Sequence, residues 1–177
     1  MKIIVFLSLV IIAAVCGGLY GAFHDQISYT VSPEFFTKFR FKTQQIDASY
    51  QGRVGAAVIG WRNTWTIGMI LGGILAMVGF IHVDYKKMFR VTLQAIGIAI
   101  GIAFIFAVLG LLFGYLFNTP YKGQGRLPDG ILFPKQFVIV STMHNFSNVG
   151  GVVGMFCGIY WQVFSRKRLL EEVSFED

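Results

Sequence analysis

His24-Asp25, Arg62-Asn63 and His144-Asn145 are the residues of this sequence best suited to chemistry. Each pair lies within or at the end of a long apolar run. A titratable group there is costly and must be paired or reach water. Imidazole and carboxylate are ligand types that zinc and similar ions accept, which makes His24, Asp25 and His144 candidate metal ligands. No tight spacing such as His-x-x-x-His accompanies them, so the metal reading rests on residue type alone. Two histidines on facing helices could instead hold a haem from its two sides. The plainer alternative is ordinary pairing at a membrane boundary, with Asp25 joined to Arg62 or to a histidine. Hydrolytic motifs are missing: there is no Gly-x-Ser-x-Gly elbow, His-Glu-x-x-His pair or phosphate loop.

The elements that must position these groups follow from composition. The chain has 177 residues, 55% of them hydrophobic and 14% charged, against roughly 25% charged in soluble domains. That excludes a soluble globule of this size and a disordered chain. Two cysteines exclude a disulfide scaffold. Four apolar stretches, at about 3–23, 54–82, 91–117 and 137–164, are each long enough to cross a hydrocarbon core. The expected fold is an all-α membrane protein: one domain over 1–177, an antiparallel four-transmembrane-helix bundle with a small outer cap of loops. Lys2 and the run to Val15 look like the start of a signal peptide. The run continues through Cys16 to Phe23, which predicts a retained first helix.

Basic residues set the expected orientation. Lys86, Lys87 and Arg90 in the turn 83–90, and Arg166-Lys167-Arg168 opening the tail 165–177, give a higher basic density than the longer outer loops 26–52 and 118–136. Both termini are therefore expected in the cytoplasm of a bacterial cell. The net charge of +6 is read as this topology signal and not as a nucleic-acid footprint. Counting from the inner helix ends, His24, Arg62 and His144 each stand about 20 residues up, or roughly 30 Å. Gln26 adds to this polar layer. Glycines four apart (Gly17/Gly21, Gly68/Gly72, Gly97/Gly101, Gly110/Gly114, Gly150/Gly154/Gly158) predict close helix packing. Cys16 and Cys157 fall at different depths and are not expected to pair.

In the first outer loop, Ile27 to Val31 alternates as a short strand would. Ser32-Pro33-Glu34 reads as a helix start. Phe35, Phe36, Phe39 and Phe41 among Lys38, Arg40 and Lys42 suit a segment lying on the membrane surface or meeting a partner. Tyr20-Gly21-x-x-His24-Asp25-Gln26-Ile27-Ser28-Tyr29 with Ser32-Pro33-Glu34-Phe35-Phe36-Thr37, and Met143-His144-Asn145-Phe146-Ser147 with Gly150-Gly151, resemble the signature of an uncharacterised family of small bacterial four-span membrane proteins. The resemblance implies the four-span layout and adds Glu34 to the marker residues. It implies no reaction, substrate or cofactor.

The expected function is a non-enzymatic accessory or interaction subunit. Its outer polar and aromatic face would meet another membrane protein or a second copy of the chain. The alternatives are a small oligomeric transporter or channel, and a metal-dependent or lipid-modifying membrane enzyme using His24 and His144.

Overall fold

A computed structural model describes residues 1–117 and 127–174, with side chains as far as Lys167. Among these residues the chain is mostly helical and forms no strand. The long helices are α1 (Lys2–Val31), α3 (Arg53–Val78), α4 (Tyr85–Phe117) and α5 (Pro134–Ser174). A π-helical turn (Phe35–Arg40) and the short α2 (Phe41–Thr43) connect α1 to α3. A 3-10 turn (Gly79–Ile81) ends the α3 segment, and His82 already has extended backbone.

Three helical segments, Lys2–Val31, Arg53–Ile81 and Tyr85–Phe117, are long and apolar enough to cross a membrane. The fourth expected span lies within α5 but does not join them. His144, Asn145, Ser147, Asn148 and Gln162 dilute its apolar character. On the apolar helices, side chains such as Leu7, Ile11 and Leu112 point away from the protein, as lipid contact requires.

The long helices pack as two antiparallel pairs. In the first, α1 meets α3 through glycines: a Cβ on Gly17 would come 2.9 Å from Gly68 Cα, and one on Gly60 would land on the Gly21 carbonyl. Such contacts need bare backbone on both sides. The Thr64 hydroxyl sits in this seam, 2.8 Å from Gly17 O and 2.7 Å from Gly60 O. In the second pair, Gly154 lies against Ala99 and Gly158 against Ala95, joining α5 to α4. Gly72, Gly110 and Gly150 also lie within Cβ reach of a neighbouring helix. Gly97 and Gly101 are exceptions, exposed with open space around them.

The two pairs touch less extensively, and a cleft runs between them. One end is tied by polar bonds: Thr92 donates to Gln162 Oε1 (2.9 Å), Gln162 donates to Leu75 O (3.0 Å), and Lys2 Nζ donates to His82 O (2.6 Å). Leu9, Ala13, Leu75, Ala76, Met88 and Ala95 form the apolar core beside them. The other end is covered by the π-helical turn.

Two loop expectations change. Ile27 to Val31 continues α1 and is not a strand. Its hydroxyls stay satisfied in a helix, with Ser28 donating to His24 O (3.1 Å) and Thr30 to Gln26 O (2.9 Å). The phenyl rings are not on a surface either. Phe35, Phe36 and Phe41 are buried with Ile59, Phe137 and Val140, so the segment is a lid folded onto the bundle end. Its expected helix start does form, with the Phe35 amide donating to Ser32 Oγ (3.4 Å). Of the second loop, residues 118–126 lie outside the described part of the chain.

Candidate metal centre

The site is built from the ends of two helices and the lid. His24 and Asp25 stand near the end of α1, and His144 stands in the first third of α5. Apolar packing of Phe35 on Phe137 fixes the lid across them (centroids 5.1 Å). Phe35 also stacks on the His144 ring (5.1 Å, 24° between planes). The π-helical turn widens the coil by one residue per bond. It carries Phe35, Phe36 and Arg40 to the roof.

His24 Nδ1 lies 3.2 Å from Asp25 Oδ1, and His144 Nε2 lies 3.6 Å from the same oxygen. The two imidazoles meet edge to face with centroids 4.6 Å apart. One ligand-type atom from each residue falls within 4.8 Å of the others. Two zinc ligands at ~2.0–2.1 Å from a tetrahedral ion stand roughly 3.3 Å apart. The carboxylate–imidazole spacings bracket that value. His24 Nε2 and His144 Nε2 are buried without a hydrogen-bond partner. Buried polar atoms are otherwise satisfied as a rule, so each orphan nitrogen needs an explanation. A bound cation supplies one for His144 Nε2, whereas His24 faces the carboxylate through Nδ1. A haem does not fit, because rings already in contact leave no room for a porphyrin between them.

Around the three residues is a cavity of about 300 Å³. Tyr20 and Ser147 face each other on its wall, with their oxygens 2.6 Å apart. Asn63 and Thr64 come from α3, and Arg40 comes from the lid. Arg40 Nε is also buried without a hydrogen-bond partner. The guanidinium rests against the Phe35 ring (5.2 Å) and the Phe39 ring (5.5 Å). Burial lowers the Arg40 pKa from its usual value, and the Asp25 charge pulls it back up. A guanidinium stays charged in either case.

Of the residues singled out in the sequence, His24, Asp25 and His144 come together as counted. Asn63 lines the same cavity and accepts from Gln44 Nε2 (2.8 Å). Asn145 is exposed and lines a neighbouring cavity with Phe35, Arg40 and His144. Arg62 does not reach the centre: it is exposed, beside Gln44 and Gln45. Gln26 turns to α3, donating to Arg53 O (2.9 Å). Glu34 binds the start of α5, accepting from Leu132 N (3.0 Å) and Phe133 N (2.8 Å).

Arg40, Tyr20 and Ser147 were missed. Tyr20 precedes His24 by four residues and Ser147 follows His144 by three, spacings that share a helix face. That signal was available. Nothing local marks Arg40 among the basic residues of its segment. Comparison of the chain with protein-family models, curated proteins and solved structures found no match.

Proposed function

We propose that the protein is a four-span membrane protein that holds a divalent, zinc-like ion between His24, Asp25 and His144. The observation that carries this reading is the grouping of two imidazoles and a carboxylate whose ligand-type atoms lie within 4.8 Å of one another. Three protein ligands leave a fourth position of a tetrahedral ion open, the arrangement of catalytic and not of structural zinc sites. In that position the ion would polarise a bound oxygen. This favours metal-dependent chemistry, or metal-assisted ligand binding, over a partner-docking role. The aromatic residues that a partner would have met are turned into the protein.

The test is metal content of detergent-purified protein, stripped with a chelator and then reloaded. Wild type should take up about one zinc or cobalt per chain. His24→Ala and His144→Ala should each weaken uptake by more than the ~10–100-fold that loss of an outer-shell partner costs. Circular dichroism of each variant confirms its helices. Wild type that stays empty in excess zinc, or folded variants that load as it does, would overturn the proposal.

A further inference from the structure

A second cavity lies directly beneath the candidate metal centre. It measures about 330 Å³ and runs down the cleft between the two helix pairs. Its walls are almost wholly apolar, from Ala13, Leu71 and Leu75 on one pair to Ile96, Ile100 and Val152 on the other. The two cavities share Tyr20, Thr64, Ile67, Ser147 and Asn148 as lining. They therefore adjoin, polar at the lid and apolar below, with the Tyr20–Ser147 hydrogen bond at the junction.

The charge in the upper part is informative. Asp25 and Arg40 offset each other, and a divalent ion on His24, Asp25 and His144 would leave an excess of positive charge. Arg40 Nε is buried, unpartnered and on the cavity wall. A guanidinium is matched by an oxyanion, which it can grip through parallel N–H bonds. The lower part offers no polar partner of that kind, and its volume is in the range of small-ligand pockets. A ligand that fills both parts has an anionic head and an apolar chain.

We infer that this space binds an anionic lipid, its oxyanion headgroup against Arg40 and the metal centre and one hydrocarbon chain in the cleft between the helix pairs. The inference deepens the metal-site reading and rests on it for part of the headgroup's attraction. Arg40 and the apolar cleft make separate contributions, which can be tested without metal.

The experiment is native mass spectrometry of the full chain in neutral detergent, both metal-stripped and zinc-loaded. The probes are oleoyl lysophosphatidic acid, oleoyl lysophosphatidylcholine and inorganic phosphate. Lysophosphatidic acid should be retained at least tenfold more strongly than the zwitterionic lipid, and inorganic phosphate should not compete. Arg40→Gln should remove the preference for the anionic lipid in both metal states. Ile100→Trp, and separately Val152→Trp, should lower retention by filling the cleft, with circular dichroism checking the fold.

Equal retention of the two lipids, or retention unchanged by Arg40→Gln and by both tryptophan variants, overturns the inference. Inorganic phosphate that competes as well as the lipid makes this a free-anion site and overturns it too. Zinc uptake with failed lipid arms leaves the metal reading standing alone. Arg40-dependent lipid retention by a chain that never takes up zinc leaves the lipid inference standing alone.

Discussion

Glu34 lies outside the His24–Asp25–His144 cluster, yet it holds the lid against the helix that carries His144. Its carboxylate accepts from Leu132 N and Phe133 N, just before α5 begins at Pro134. Negative charge at a helix start is favourable, and a hydrogen bond to a charged group is worth about 1.5–3 kcal/mol when sheltered. These bonds are exposed, so the lower part of that range applies. Glu34→Ala should speed hydrogen exchange at the Leu132 and Phe133 amides by roughly tenfold. Unchanged exchange at both would show that the lid needs no such tie. The same scale explains why Arg62, expected in the polar layer, does not line the cavity. Counting residues along an apolar run gives height, and Arg62 has the right height. It does not give direction around the helix, which turns about 100° per residue. Asn63, one step on, faces the cavity while Arg62 faces away. His24 and His144 were legible because height brings them together and tertiary packing happens to turn both inward.

Among elements, the α1–α3 seam is the most demanding. A Cβ on Gly60 would meet the Gly21 carbonyl, and backbone has little room to give. Overpacking of this kind costs typically 1–3 kcal/mol. Gly60→Ala should therefore lower the thermal midpoint in detergent. Gly73→Ala on the same helix meets open space, and by helix propensity it should be neutral or stabilising by up to ~1 kcal/mol. Equal midpoints for the two variants would mean that the seam does not hold the pair together. The glycine spacing was readable in the sequence, but which face of each helix used it was not. Gly97 and Gly101 have the same spacing as Gly17 and Gly21 and pack against nothing among the described residues. The strand expected at Ile27 to Val31 failed for a related reason. Alternation over five residues does not show what will cover them, and here the lid covers this turn of α1. Tyr29 packs on Phe36 (5.5 Å) and Ser28 is fully buried.

At the scale of the molecule, the starts of α1 and α4 share one end with the close of α3, through Lys2 to His82 and Thr92 to Gln162 to Leu75. If α5 crosses the membrane with the others, the Asp84 turn and Lys167 lie on one side and Asp47 and Asp129 on the other. Single cysteines at these four positions, in a chain lacking Cys16 and Cys157, should react with an impermeant thiol reagent in those two groups. From the basic density, the Asp84 group is the one expected on the cytoplasmic side. Labelling of Asp84 and Lys167 positions from opposite sides would refute the four-span layout. Composition was enough to reveal a membrane protein, because few charges must leave apolar surface exposed. It could not reveal a cleft, since that depends on two helix pairs each packing more closely within than between. The bare seam of α1 and α3 also bears on how the sequence can drift. Where Gly21 meets Gly60, neither side has an atom to shed in exchange for one gained by the other. No pair of compensating replacements exists there, so the two positions are expected to stay fixed and not to change in concert. Joint change is open to the cleft walls, where Leu71 on one pair and Val152 on the other can trade bulk. A history of paired substitutions would record the loose interface and leave the close one blank.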